Sequence, residues 1–428
     1  MPSKPQGILR HIILCTVGSS GDVHPFVGLG RQLRRRGYRV TLVTAGYFRE
    51  LAEKSDLEFV DTMPNADFRQ MVSDPQIWHP MIGVRKVMEL AVRPNLEPIY
   101  RTIENLYTPG DSMVVASTLA FGARLAQEKF DTPLVTIHLS PALFRSAYEG
   151  PRLPKVTVHI GPPWLKRFKW FVADKFAIDP MIIPWLNPFR KQIGLQPARR
   201  IFKDWWHSPL STIAMFPDWF AAKQPDWPSQ LKLCSFPLYS EDGIAEPSEE
   251  LKSFLQSGSK PIAFTPGSAN LFGHDFFAAA VDACQRLGRR GLLLTRFPDQ
   301  IPAHLPASVK HFDFAPFRWL LPQTEMLVHH GGVGSMSQAM AAAIPQIIMP
   351  MAFDQVDNIY RVEKLGIGKG LQREKFTGPA LASAISSLFN DPQMPNRVHQ
   401  VAQQLAQEDG LTAACDEIES AWERYHRK

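Results

Sequence analysis

Long apolar runs are missing from this 428-residue sequence, and none reaches the roughly eighteen residues that a membrane-spanning helix needs. The opening Met1-Pro2-Ser3-Lys4 leads into a strand-like segment without the apolar region of a signal peptide, so a cytoplasmic chain is expected. Cysteine is scarce. Cys15, Cys234, Cys284 and Cys415 are scattered, with no Cys-x-x-C or Cys/His spacing, which excludes a disulfide scaffold or a zinc-type site and reads as free core thiols. No G-x-G-x-x-G fingerprint occurs, which argues against a dinucleotide cofactor. Internal repeats and low-complexity tracts are also missing. The basic balance, a sequence pI near 9.1, comes without any nucleic-acid-binding motif, so no nucleic-acid partner is expected.

What is present is alternation. A chain of this length supports two or three domains. His11 to Val17, Arg39 to Thr44, Met113 to Ser117 and Pro133 to Ile137 have strand character around the helix-like Phe26 to Arg36 and Leu119 to Lys129. Later, Pro261 to Thr265, Gly291 to Arg296, Met326 to His329 and Gln346 to Met349 alternate with helical stretches such as Phe276 to Arg289. Strand-helix alternation implies an α/β fold of parallel sheets with helices on both faces. The expected division is a first domain over 1–240, a polar linker over 241–250, a second domain over 251–405 and a carboxy-terminal helix over 406–428.

Two glycine turns carry the chemistry. In His329-His330-Gly331-Gly332-Val333-Gly334-Ser335 a short apolar strand ends at glycines just before a stretch of small helix formers. A helix start offers unpaired N–H donors and the positive end of its dipole, and glycine lets a ligand approach the backbone, so a diphosphate suits the place. Ser335 adds a hydroxyl. His330 adds a ring nitrogen which, when protonated, would offset the charge on a departing diphosphate. The bland reading of the same residues is a tight strand-to-helix turn. The second turn, Gly18-Ser19-Ser20-Gly21-Asp22-Val23-His24-Pro25, follows the first strand and opens a βα unit, with Asp22 placed to N-cap a helix entering at Pro25.

Phe314-Ala315-Pro316, His330 to Ser335, Ile344-Pro345, Pro350 and Asp354-Gln355, taken in order, resemble the donor-binding signature of nucleotide-sugar glycosyltransferases of family 1 type. Gly-Ser-x-Gly-Asp-x-x-Pro at 18–25 is similar to the start of bacterial members. The resemblance implies a GT-B fold, two Rossmann-like doubly wound domains facing across a cleft. It implies that Phe314 and the Ala315 backbone meet the nucleobase, that His330, Gly332, Gly334 and Ser335 hold the diphosphate, that Ser268 approaches the phosphates or the base, and that Asp354 and Gln355 reach the sugar hydroxyls. Gln338 stands where many relatives carry a ribose-binding glutamate. The catalytic candidates are Asp22 and, as competitor, His24. With no Asp-x-Asp pair in the chain, neither metal nor other cofactor is expected.

Residues 145–204 hold twelve Lys and Arg against four acids, a net of +8 in a chain of +6, so positive charge is concentrated there. Within them Trp164, Leu165, Phe168, Phe171 and Val172 share one helical face, while Lys166, Arg167 and Lys169 share the other, broken by Trp170. One reading is a lipid-facing or acceptor-binding segment using Trp164, Phe168 and Phe171, and the other is an ordinary surface helix whose apolar face lies in the core. Arg200-Ile201-Phe202, Trp206-His207-Ser208-Pro209, Phe216-Pro217-Asp218-Trp219-Phe220 and Asp226-Trp227-Pro228 look like segments of the rhamnosyltransferases of rhamnolipid synthesis. That implies a dTDP-L-rhamnose donor, a 3-(3-hydroxyalkanoyloxy)alkanoate acceptor, and contact with the inner face of the cytoplasmic membrane or with an acceptor-synthesising protein. The alternatives are a sterol or natural-product glucosyltransferase using UDP-glucose, a nucleotide-sugar epimerase, and a non-catalytic lipid-binding subunit.

Overall fold

A computed structural model describes residues 7–239, 246–268 and 270–427. The chain divides into two compact units, Met1–Ile77 with Met81–Pro237 and Asp409–Lys428, and Trp78–Pro80 with Leu238–Glu408. Both are parallel-sheet Rossmann-like domains, and the class is α/β.

The first unit is built on β1 (His11–Cys15), β2 (Arg39–Thr44), β3 (Glu58–Asp61), β4 (Ser112–Ser117), β5 (Leu134–His138), β6 (Ser211–Met215) and β7 (Leu231–Cys234), in the sheet order β3-β2-β1-β4-β5-β6-β7. Every pairing is parallel. β1, β4, β5 and β6 are buried throughout, as strands covered on both faces must be. The helix after β1 runs over Ser20–Arg35 and so starts six residues before the expected Phe26, with Asp22 in its first turn and Pro25 inside it. The last helix, Gly410–His426, belongs to this unit. Ser211 Oγ donates to Glu417 at 2.6 Å, and Arg36 pairs with Asp416 at 2.7 Å and Glu419 at 2.8 Å.

A buried file of rings crosses the first unit. Trp206 Nε1–H, which can only donate, points at His207 Nε2 (3.0 Å), so the network puts the His207 proton on Nδ1, facing His138 Nε2 at 3.0 Å. His138 Nδ1–H then meets Thr118 Oγ (2.8 Å), whose hydroxyl donates to the Ile137 carbonyl at 3.1 Å. Each ring is satisfied only when neutral. Burial, with His207 adding to it, depresses His138 well below the usual imidazole range; burial, then Arg145 and Arg124, takes His207 down to about 3. Below the unfolded value near 6.5 the unfolded chain therefore binds more protons, and stability falls as pH drops toward the folded values. Each ring costs about 1.4 kcal/mol per pH unit in that window. Urea unfolding at pH 7.5 and 5.5 should show a loss of roughly 2–4 kcal/mol from these rings, and an unchanged stability would mean they are charged in the folded chain.

The second unit carries β8 (Ile262–Thr265), β9 (Gly291–Leu294), β10 (Val309–Phe312), β11 (Met326–His329), β12 (Gln346–Ile348) and β13 (Gly368–Gly370), in the order β10-β9-β8-β11-β12-β13, again all parallel. Ser248 Oγ accepts from Leu251 N at 3.2 Å and starts the helix Glu249–Gln256, so this end of the expected linker is a helix cap. Its first part, 241–245, lies outside the described residues.

In a doubly wound sheet ligands gather outside the carboxyl ends of the strands, where the connections part in opposite directions. From the strand orders, that point falls between β1 and β4 in the first unit and between β8 and β11 in the second. The two glycine turns follow β1 and β11.

Candidate functional site

In the second unit β11 ends at His329, and the helix Val333–Ala341 begins three residues after His330 with Gly332 as its N-cap. Glycine supplies no capping side chain, and Met336 N is the first amide to bond back, to the Gly332 carbonyl at 3.0 Å. The amides of Val333, Gly334 and Ser335 therefore form an uncapped helix start. Gly334 faces open space, since a Cβ there would meet nothing within 4 Å. Gly331 is required for another reason: its φ is +96°, and a Cβ would lie 2.6 Å from Ile348 Cγ2.

The His330 ring lies between two glycines. A Cβ on Gly267 would come within 2.7 Å of its Cε1, and one on Gly332 within 2.6 Å of its Nε2. Gly267 follows β8, so the ring sits at the switch point of the sheet. Its Nδ1 is buried with no hydrogen-bond partner among the described residues, although the residue as a whole is only half-buried. Burial takes the ring down to about 4, so it is neutral near pH 7 in the unliganded chain. A neutral ring offers one N–H as a donor. The preceding ring has a role the sequence did not suggest. His329 Nδ1 accepts from Gly331 N at 3.1 Å, so the opposite Nε2–H faces Gln346 Oε1 at 2.9 Å and the glycine turn is tied to β12.

The remaining donor candidates occupy varied settings. Phe314 is half-buried after β10 with the Arg296 guanidinium 4.9 Å from its ring centre, and Ala315 is buried. Ser268 is exposed in the turn after β8. Gln338 is buried on the 333–341 helix and donates to the Tyr239 carbonyl at 3.1 Å. Asp354 stands at the N-cap of the helix Gln355–Lys364 but makes no side-chain cap bond; it accepts from Asn358 Nδ2 at 3.1 Å instead. That amide also reaches the Gly331 carbonyl at 2.9 Å, so Asn358 couples the two loops, and nothing about an asparagine inside a helix advertises this. Gln355 is buried with Oε1 accepting from Met351 N (2.6 Å) and Ala352 N (3.0 Å), which leaves only its amide nitrogen for a ligand.

In the first unit Gly18 has φ +136°, and a Cβ there would strike Asp22 Oδ2 at 2.2 Å. Glycine thus lets the carboxylate fold over the turn, where it accepts from Ser19 N at 2.8 Å. Asp22 is the third residue of its helix, and this bond is the acidic half of a capping box. The Ser19 hydroxyl donates to the same oxygen at 3.4 Å. His24, two residues on, projects to a different side of the helix, so the two candidates do not share a face. Val17 N donates to Ser117 Oγ at 3.3 Å, which fixes the turn at the β1/β4 switch point. Beside it opens a narrow recess lined by Gly18, Thr44, Ala45, Met63, Phe68 and Met71, among others. Thr44 Oγ in that recess is buried and unpartnered among the described residues. Apart from Gly18 these residues belong to no motif, and they come from separate stretches of the sequence.

The helix Pro163–Ala173 buries none of its residues. The aromatic face that one reading placed in the core points to solvent, with Trp164, Phe168 and Phe171 all exposed. The inward side instead carries Lys166, donating to the Tyr148 carbonyl at 2.7 Å, and Lys169, donating to the Thr157 and Ile160 carbonyls at 3.0 Å each.

Residues 12–148 match the family model of the glycosyltransferase family 28 N-terminal domain, and residues 296–420 match that of the erythromycin biosynthesis protein CIII-like C-terminal domain. The chain is a glycosyltransferase. The transferase is 28% identical over 425 residues to an O-mycaminosyltylonolide 6-deoxyallosyltransferase of Streptomyces fradiae, covering 95% of this chain and 96% of that one. It is 26% identical over 450 residues to a sterol 3-beta-glucosyltransferase of Candida albicans, covering 96% of this chain but 28% of that relative. Among solved structures, a glycotransferase of kitacinnamycin shares the fold at a TM-score of 0.75 and 20% identity, with 97% and 99% of the two chains covered. A spinosyn rhamnosyltransferase complexed with thymidine diphosphate superposes at 0.66 with 15% identity, covering 96% and 100%.

Proposed function

We propose that the transferase moves L-rhamnose from dTDP-L-rhamnose to the hydroxyl of a 3-(3-hydroxyalkanoyloxy)alkanoate, by a single displacement that inverts the anomeric carbon. The observation that carries the donor half is the uncapped helix start at Val333 to Ser335 beside the glycine-held His330 ring. Amides and a neutral imidazole N–H stabilise the charge that grows on the departing diphosphate. Asp354 and the Gln355 amide nitrogen take sugar hydroxyls, Phe314 and the Ala315 backbone take the base, and Asp22 accepts the acceptor proton as the new bond forms. The apolar recess beside Gly18 receives part of the acceptor, and the segment 145–204, with its net charge of +8, attracts its carboxylate. A nucleotide of the thymidine type is supported by the fold shared with a rhamnosyltransferase that holds thymidine diphosphate.

A second reading, glucosyl transfer from UDP-glucose to a sterol or other natural product, is favoured by the similarity to the Candida albicans sterol glucosyltransferase. A screen of nucleotide sugars against hydroxy fatty acids, sterols and phenolics, read by mass shift, separates the two. The expected product is a rhamnosyl hydroxyalkanoate of inverted configuration by NMR. A glucosylated sterol would select the second reading, retention of configuration would exclude single displacement, an isomerised donor without acceptor would indicate an epimerase, and donor binding without any product a non-catalytic subunit.

A further inference from the structure

Four large rings stand in water along one stretch of the first unit: Trp164, Phe168, Phe171 and Phe176 are 68%, 57%, 57% and 69% exposed. Their spacing puts them on one side of the helix Pro163–Ala173 and its continuation, with Ile160 and Val172 exposed beside them. Together they present roughly 500 Å² of apolar surface, as large as the largest patch ordinarily found on a monomer. A core helix would turn this face inward. Here the inward side is held by Lys166 and Lys169 on loop carbonyls, and by Trp170, against which the Arg145 guanidinium packs at 4.6 Å.

Charge tells what covers the patch. Lys175 Nζ sits 5.9 Å from the Phe171 ring centre and 5.5 Å from that of Phe176, and Arg167 is exposed at the edge of the same helix. Nearby acids are spent internally: Asp174 pairs with Arg145, Asp204 pairs with Arg200, and Asp179 accepts from the Arg200 and Ile201 amides. The polar groups that flank the rings are therefore mainly cations, Lys175 and Arg167. Aromatics flanked by cations on the outer face of an amphipathic helix fit the headgroup level of a bilayer, with the rings among acyl chains and the ammonium groups at phosphates.

We infer that the face of Trp164, Phe168, Phe171 and Phe176 docks the protein on membranes rich in anionic lipid. This goes beyond the transfer reaction and does not depend on it. The test is co-sedimentation of the full chain with vesicles of phosphatidylcholine alone, or with one third phosphatidylglycerol, without donor or acceptor. Wild type should pellet with the anionic vesicles at low salt, and release at high salt. The Trp164→Ser, Phe168→Ser, Phe171→Ser, Phe176→Ser combination should lower that partitioning by about tenfold or more with an unchanged unfolding midpoint. Lys175→Glu with Arg167→Glu should remove the preference for anionic over neutral vesicles, and decides the matter if the fourfold variant does not fold. Wild type left in the supernatant by both vesicles, or variants that bind as wild type does, would overturn the inference. So would a wild-type dimer in light scattering that the ring substitutions dissolve, because a second copy would then cover the face.

Discussion

Asp22→Asn is expected to lower kcat by about 10²–10⁴-fold, with donor affinity and the unfolding midpoint left near wild type. The substitution is chosen to separate chemistry from architecture. An asparagine keeps an oxygen that can accept from Ser19 N, as the carboxylate does now at 2.8 Å, so the first turn of the Ser20–Arg35 helix stays closed. What it removes is the ability to take a proton from an attacking hydroxyl. The result that would redirect the assignment is an Asp22→Asn enzyme with most of its turnover beside a His24→Gln enzyme with none. His24 projects from a different side of the same helix.

His330→Ala should cost about 10²–10³-fold in kcat through loss of a donor aimed at the diphosphate. The ring has few other duties: it fills the space between Gly267 and Gly332, and its Nδ1 bonds to nothing among the described residues. His330→Gln keeps a side-chain N–H and should recover part of the loss in kcat. A purely structural role would instead appear as a lowered unfolding midpoint in both variants, with kcat unaffected in the folded fraction. Because burial holds the imidazole near 4, its contribution is that of a neutral hydrogen bond, and near-equal activities of wild type and His330→Ala would remove it from the site.

Much of this fold can be read from the chain because its central strands are buried on both faces and appear as unbroken apolar runs. β1, β4, β8, β9, β11 and β12 announce themselves in that way, while β2 and β5 carry Thr41 and Thr136 within otherwise apolar strands. The remaining strands are short or marginal. β3, β7, β10 and β13 lie at the sheet edges, where one flank is unpaired and residues such as Glu58, Lys232, Lys310 and Lys369 are tolerated. β6 is interior yet opens with Ser211 and Thr212, and the Glu417 carboxylate that satisfies Ser211 comes from the far end of the chain. The start of the first helix is easily misread because Pro25 resembles a helix opening, when Ser19 and Asp22 already close the first turn.

The glycine turns are legible because backbone geometry forces residue choice. Gly18, Gly267 and Gly331 combine positive φ with contacts that a Cβ would violate. Relations between distant side chains are not. The neutrality of His330, the bridge made by Asn358, the Thr44 recess and the outward turn of the Trp164 face arise from what packs around each residue. The sequence near them does not decide it, and for the Trp164 face it allows both an outward and an inward reading.

The most direct measurement is calorimetric titration of the protein with dTDP and with UDP, repeated on Gly334→Asp. An aspartate there meets open space, so the fold should hold while a negative charge is set at the helix start. Wild type should release heat with at least one of the two diphosphates, and Gly334→Asp should lose it. No heat with either nucleotide, or equal binding by wild type and variant, would contradict a diphosphate site at the Val333–Ala341 helix.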